Sequence, residues 1–415
     1  MLLRAIFISL VLSRTCAQLP SWQRPFLDPL IPPYGGAQLL SNATAWTRLF
    51  YGTAAVGAYA MSPMLSYADG LFLASWKLSA TSEDEPGQKI MWAMSRDGAS
   101  WLPANPSDGA NVLFPSMNSS ESPRIALFAE PTVFVNGRAY AAASPTQFCL
   151  YPDQYQDVLL LRRVLDVGVF GPIFWAAATI PPGFAEASAA ANVTALPQQD
   201  AQTRADIAAL TPDARERPCA PAEQTSKCEA CVGACQPWAV PLNVSSLENE
   251  RTHWLVPGGT AEVLLYRSHN RVLYASRREA PGGAWSVPAP TNITDDVANL
   301  NGGNLPASLG GGAYLVSNAL ITIIRDPLFL SRAPDGLRFT ETAAIGSCED
   351  AAVFASAEQP WGCMYRVPGG AKEGGLQYPQ AAVVTDARAP GFYVIVSLNK
   401  EDIWIARTPL EALRT

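Results

Sequence analysis

From residue 61 onward, apolar and polar positions recur in one pattern: a short β-branched or aromatic run, a tight polar or glycine turn, a second run, then a turn closed by an aromatic. The first copy takes Met64, Leu65, Ser66 and Tyr67 to Asp69-Gly70 and returns through Leu71, Phe72, Leu73, Ala74, Ser75 and Trp76. Asp-Gly between two apolar runs predicts a hairpin, because both residues tolerate the positive φ of a tight turn. A third strand is predicted at Ile90 to Met94, followed by Ser95-Arg96-Asp97-Gly98-Ala99-Ser100-Trp101. Further copies run through Thr132 to Val135, Asn136-Gly137 and Ala139 to Ala143, then through Val263 to Tyr266, His269-Asn270 and Val272 to Ala275. Ala313 to Val316 and Leu328 to Ser331 continue the pattern, and Gln380 to Val384, Phe392 to Ser397 and Asp402 to Ala406 close it.

Repeats of about 40 to 50 residues built of short strands predict an all-β propeller of four-stranded antiparallel sheets. Five or six blades are expected, with the stretch from Tyr34 to Phe50 supplying the strand that closes the ring. Composition agrees: 415 residues with 48% hydrophobic content can bury a large core, and 35 prolines with 30 glycines exclude a helical bundle. Residues 182–250 break the pattern, being rich in Ala, Pro, Gln, Glu and Asp, with Ala187 to Ala191 nearly homopolymeric. They are expected as an irregular insertion, largely loop with a short helix at Arg204 to Leu210, inside a single domain spanning 18–415.

Residues 1–17 place Arg4 before the apolar run Ala5 to Leu12 and end in Thr15-Cys16-Ala17, the pattern of a signal peptide cleaved after Ala17. Elsewhere no apolar run approaches the roughly 18 to 20 residues a membrane helix needs. The chain is therefore expected to be extracellular. Five sequons, at Asn42, Asn118, Asn192, Asn243 and Asn292, agree with glycosylation on that route. Beyond the leader lie Cys149, Cys219, Cys228, Cys231, Cys235, Cys348 and Cys363, disulfide candidates in an oxidising compartment. Cys348 with Cys363 is the favoured local bridge, and Cys219, Cys228, Cys231 and Cys235 are expected to pin the insertion. The net charge of −7 disfavours nucleic acid, and a monomer is expected.

The segment from Met61 to Trp101 resembles the opening blade of the sialidase (neuraminidase) superfamily, in which an Arg-Ile-Pro strand leads into a hairpin, a charged loop and an Asp box. Ser95, Asp97, Gly98 and Trp101 carry the box, one residue tighter than Ser-x-Asp-x-Gly-x-x-Trp. Ser331, Asp335, Gly336 and Phe339 form a degenerate second copy; Ser276, Gly282, Gly283 and Trp285 form a third without its Asp. Such boxes are structural: Ser and Asp side chains bond turn amides while the aromatic plugs the sheet. The run from Gln377-Tyr378-Pro379 to Trp404 resembles the last blade of secreted sialidase-like proteins, and the resemblance covers about residues 55–180 and 252–410.

The resemblance implies three arginines gripping a substrate carboxylate, a Tyr nucleophile activated by a Glu, and an Asp that passes a proton. In family order these are Glu262, Arg267, Arg325 and Tyr378, with Asp84 in the Glu83-Asp84-Glu85 loop as the acid. Read from the residues alone, Glu262 is either channel-facing or an exposed strand start, and Asp84 belongs to a solvated acidic loop. Aligning Pro63 with the family proline puts Met61 where the first arginine belongs, so the clamp lacks one cation. Asp326, following Arg325 at a strand start, is expected to face the channel with it.

The chain has no P-loop, no dinucleotide glycine fingerprint, no His-Glu-x-x-His and no nucleophile-elbow motif, and its two histidines, His253 and His269, exclude a His-rich metal site. No metal site is expected; calcium held by channel or loop carboxylates is the alternative, with no ligand spacing pointing to it. The expectation is a secreted, sialidase-like glycoside hydrolase acting on a glycan with an acidic sugar. A propeller that binds glycan or protein without catalysis is the second class, and a polysaccharide lyase using His253 or a Tyr is the third.

Overall fold

The computed structural model describes residues 18–22, 37–80, 82, 87–103, 111–117, 125–147, 154–155, 159–181, 183–210, 247–268, 272–294, 300–318, 324–350, 352–355, 362–369 and 372–414. Three short strands open it: β1 (Ser21–Trp22), β2 (Gln38–Leu39) and β3 (Ala45–Phe50). Sheet I is the meander β4 (Tyr59–Ala68), β5 (Leu71–Ser79), β6 (Lys89–Ser95) and β7 (Val112–Phe114). Sheet II contains β8 (Ile125–Val135), β9 (Arg138–Gln147), β10 (Gln154–Tyr155), β11 (Leu160–Asp166), β12 (Val169–Trp175) and β13 (Thr194–Ala195). Sheet III is β14 (Leu247–Leu255), β15 (Glu262–Ser268), β16 (Val272–Arg278) and β17 (Ala289–Thr294).

Sheet IV is built from β18 (Asn301–Asn304), β19 (Ala313–Ser317), β20 (Leu328–Ala333) and β22 (Glu341–Gly346), with β2 parallel on its edge; β21 (Arg338–Phe339) pairs with β1. Sheet V is β23 (Leu376–Val384), β24 (Gly391–Leu398) and β25 (Asp402–Thr408), completed by β3 antiparallel to β25. Two of the expected hairpin turns are present, since Asp69 and Gly70 have φ of 50° and 76°, and Asn136 and Gly137 have 50° and 70°, while His269-Asn270 lies outside the described residues.

Neighbouring sheets bury their faces together. Sheets I and II share a core with Met94, Phe114, Leu127 and Trp175; sheets III and IV share one with Trp254, Leu265, Leu315 and Phe339. Sheets IV and V meet through Val316, Leu330, Val394 and Trp404, and sheets V and I through Phe50, Phe72, Trp76 and Ile395. The first strands also touch: β4 contacts β8 and β23, and β18 contacts β14 and β23. Their corresponding ends therefore lie close together, which is where a shared site can form.

Residues 183–210, expected as mostly loop, fold onto sheet II. Helix α1 (Ala185–Ala190) seats Phe184 against Trp175, ring centroids 5.2 Å apart, and Ser188 Oγ accepts the Trp175 indole N–H at 3.0 Å. Helix α2 (Ala201–Ala209) begins three residues before the expected Arg204 because the Asp200 side chain caps it through Thr203 N–H at 2.7 Å. Its buried Asp206 accepts from Tyr140 at 2.7 Å, Gln202 at 2.9 Å and Asn136 at 3.0 Å, which ties the helix to the β8–β9 turn. No helix among the described residues is long and apolar enough to cross a membrane.

Candidate functional site

Three first strands share one irregularity. In β4 the register steps from Met61 opposite Lys77 to Met64 opposite Ser75, in β8 from Glu130 opposite Ala142 to Val133 opposite Tyr140, and in β23 from Gln377 opposite Ser397 to Gln380 opposite Ile395. Each bulge holds a proline, Pro63, Pro131 or Pro379, where a missing N–H costs no ladder bond. Tyr378, just before Pro379, is left-handed at φ 55°, as is Ser62 at 48°. Such a conformation costs a β-region residue roughly 1 to 2 kcal/mol and turns the side chain out of the strand's alternation. Tyr378 is thereby buried against Tyr59 and Met61.

Arg325 approaches Tyr378 from the β19–β20 connection, where it forms a parallel bridge with Gly375 just ahead of β23. Its guanidinium donates to Gln377 Oε1 at 3.0 Å, pairs with Glu373 Oε2 at 2.7 Å and lies 5.4 Å from the Tyr378 ring centre. Burial works to lower the Arg325 pKa, but Tyr378 and Glu373 outweigh it and raise it, with the positive charge of Arg267 opposing them. Of the residues expected together from the sequence, Arg325 is brought to Tyr378 from the sheet IV connection, and Arg267, on sheet III, is near enough for its charge to be felt at Arg325. Arg267 is itself buried.

Glu262 is not brought to this cluster. It lies five residues from Arg267 on the unbroken strand β15, about 16 Å away at the usual strand rise, and the odd spacing turns it to the opposite face. There its Oε2 accepts from Arg278 Nε at 2.9 Å and Nη2 at 2.6 Å, with Arg278 stacked on Trp285. The expected role as base to Tyr378 is therefore corrected to a structural ion pair. The bulge opposite Arg267, where β14 steps from Leu247 to Arg251, carries Glu248, Asn249 and Glu250 in the backbone register.

Asp326 is likewise corrected. It is buried and turned away from Arg325, accepting from Ser347 Oγ at 2.5 Å and Cys348 N–H at 2.7 Å. Desolvation pushes its carboxyl up to about 7, against the lowering by those two donors. Cys348 is bonded to Cys363, the expected disulfide, with Cα atoms 4.9 Å apart. Asp326 lies near both sulfurs, but a disulfide offers no thiolate, so this group has no metal-ligand chemistry.

Met61 is 1% exposed and packs on Tyr378, so no guanidinium stands there. Two lysines that the sequence reading missed lie nearby. Lys77 is buried directly across the ladder from Met61, its Nζ 4.3 Å from the Phe128 ring, and Lys400 Nζ is 5.7 Å from the Tyr378 ring and 5.8 Å from that of Tyr59. Gln377 and Glu373 were also missed. The mid-strand prolines Pro63, Pro131 and Pro379 were the available signal, since proline within a strand marks a bulge.

The Asp97 and Asp335 side chains close their own turns. Asp97 Oδ1 accepts from Ala99 N–H at 2.9 Å and Ser100 N–H at 2.7 Å, and these amides hold its pKa well below the usual carboxylate range. Ser95 Oγ takes the Gly98 N–H at 2.8 Å, and Trp101 packs on Phe72. In the second box Asp335 accepts from Leu337 N–H at 2.9 Å and Arg338 N–H at 2.7 Å, Gly336 is left-handed, Ser331 bonds Thr342 instead, and Phe339 is buried against Trp254.

Asn42, Asn192 and Asn292 are exposed. The Asn292 amide clasps the Trp22 backbone, accepting from its N–H at 2.8 Å and donating to its carbonyl at 2.9 Å. Asp84, Asn118, Asn243, Cys149, Cys219, Cys228, Cys231, Cys235 and the leader lie outside the described residues. His253 is exposed on β14.

No protein-family model matches the chain, and no curated protein matches it. Solved structures do. A sialidase aligns over 90% of this chain and 34% of its own, with a TM-score of 0.62 and 18% identity. A mutant Trypanosoma rangeli sialidase displaying trans-sialidase activity aligns over 91% and 61%, with a TM-score of 0.52 and 10% identity. The T. rangeli sialidase in complex with sialic acid gives 91% and 61%, with 0.50 and 11%. The chain thus spans about a third of the first structure's length and about three fifths of the others'. Identities this low speak to fold. Repeated four-stranded sheets and these structural likenesses together show that the chain has the fold of the solved sialidases.

Proposed function

We propose that the chain is an exported glycoside hydrolase whose pocket binds a glycan through its acidic sugar. Arg267 and Arg325 hold the carboxylate, and Tyr378 is the nucleophile. The observation that carries this reading is the buried Arg325 guanidinium 5.4 Å from the ring centre of the buried Tyr378, with the charge of the buried Arg267 felt at Arg325. Tyr378 Oη would attack the anomeric carbon while the bond to the aglycone breaks, its electron pair leaving on the aglycone oxygen, which takes a proton from an acid. Water then displaces the tyrosine. Asp84 is the proposed acid. Glu262 is committed to Arg278, so the phenol proton passes to another base.

The five sheets are read as blades around an axis, with β3 closing the ring on β25. Export and glycosylation are supported by the leader, the sequons and the Cys348–Cys363 bridge. Met61 in place of an arginine favours a second reading, a glycan-binding propeller without turnover. One assay separates them. Wild type is expected to release sugar from sialosides or uronic-acid glycans, and Tyr378→Phe to lose at least about a hundredfold in kcat, the scale of removing a covalent catalyst. Equal turnover by both proteins refutes the hydrolase. Retention of the glycan with no product from either supports the binder, whereas a product absorbing in the ultraviolet indicates lyase chemistry.

A further inference from the structure

We propose that Glu373 is a built-in competitor for the carboxylate site, so that an acidic ligand binds by displacing it from Arg325. The inference rests on the carboxylate-binding reading above and concerns how strongly that site accepts its ligand.

Arg325 is not held open for a ligand: its two terminal nitrogens reach Glu373 at 2.7 Å and Gln377 at 3.0 Å. The Glu373 side chain is 48% exposed and that of Arg325 only 7%. The carboxylate therefore covers the solvent side of the guanidinium, the side from which a ligand must arrive. Two carboxylates cannot share that face, since like charges repel and the fork accommodates one bidentate partner.

The placement is built into the backbone. Arg325 N–H donates to Gly374 O at 3.1 Å, and Leu376 N–H to Arg325 O at 2.8 Å. A Cβ on Gly374 would lie 2.1 Å from the Cys363 carbonyl oxygen, and one on Gly375, at φ 109°, 2.3 Å from that of Arg325. Only glycines let the chain run this close. On the other side Lys372 is anchored by Glu401 Oε1 at 2.8 Å and Val367 O at 2.6 Å, and Gln377 Nε2 holds the Glu373 carbonyl at 2.6 Å. With both neighbours fixed, the residue 373 carboxylate sits at high effective concentration beside Arg325, and the ligand's apparent affinity falls by the fraction of pockets left competent.

The test is calorimetric binding of free N-acetylneuraminic acid, glucuronic acid and their uncharged methyl esters to the full chain, as wild type, Glu373→Gln and Arg267→Ala. Glu373→Gln is expected to tighten binding of at least one acid about tenfold or more and to leave its ester unchanged. Unchanged or weaker acid binding by Glu373→Gln, where wild type binds and Arg267→Ala does not, overturns the inference and leaves the site standing. Equal tightening of acid and ester also overturns it, because charge competition predicts a difference. Binding of neither acid by wild type or Glu373→Gln overturns the carboxylate site and the inference together.

Discussion

Arg325 and Asp326 are adjacent in sequence and opposite in fate. The arginine turns to Tyr378, whereas the aspartate is sealed behind Ser347 and the disulfide. A carboxyl at about 7 in the folded chain, against an ordinary 3.8, binds a proton that the unfolded chain releases. Its contribution to stability is complete below about pH 4 and is lost as pH rises through 7, on the order of 4 kcal/mol at most. Asp402, also raised by burial, acts with the same sign. The wild-type Tm is therefore expected to fall between about pH 4 and 7, and Asp326→Asn, permanently neutral, to flatten that slope. An identical slope in the variant would refute the assignment. Of the residues singled out in the sequence, Arg325 reaches Tyr378 because its bridge to Gly375 sets it beside the start of β23. Glu262 fails because one residue of strand parity decides the face.

At the scale of elements, hairpins and boxes were readable because their signals are local: Asp69-Gly70 and Asn136-Gly137 need no partner beyond their own turn. Asp97 illustrates the energetics. Asp97→Ala strands the Ala99 and Ser100 amides and is expected to cost about 1 to 2 kcal/mol, read as a lower urea midpoint with unchanged sugar binding. A matching loss of binding would place the box nearer the pocket than its contacts do. The bulges were not read, although their prolines were visible, because a bulge is defined by the strand opposite. Helix α2 was half read: its position followed from composition, but its docking depends on Asp206 meeting Tyr140, 66 residues away.

At the scale of the molecule, β3 completes sheet V from the other end of the described chain, bonding β25 over Ala45 to Phe50. Deleting residues 18–55 would bare the β25 edge and the core around Phe50 and Trp76. The truncated chain is expected to aggregate, and a monodisperse, cooperatively unfolding product on gel filtration would refute that role for β3. The sequence by itself determined the all-β meander, its turns, its boxes and the Cys348–Cys363 bridge, since each follows from neighbours in the chain and from the two-residue period of a strand. The tertiary structure alone decided which charged side chains face one another. That Arg325 meets Glu373, and Glu262 meets Arg278, depends on sheet packing and bulge register, quantities set by residues far apart along the chain.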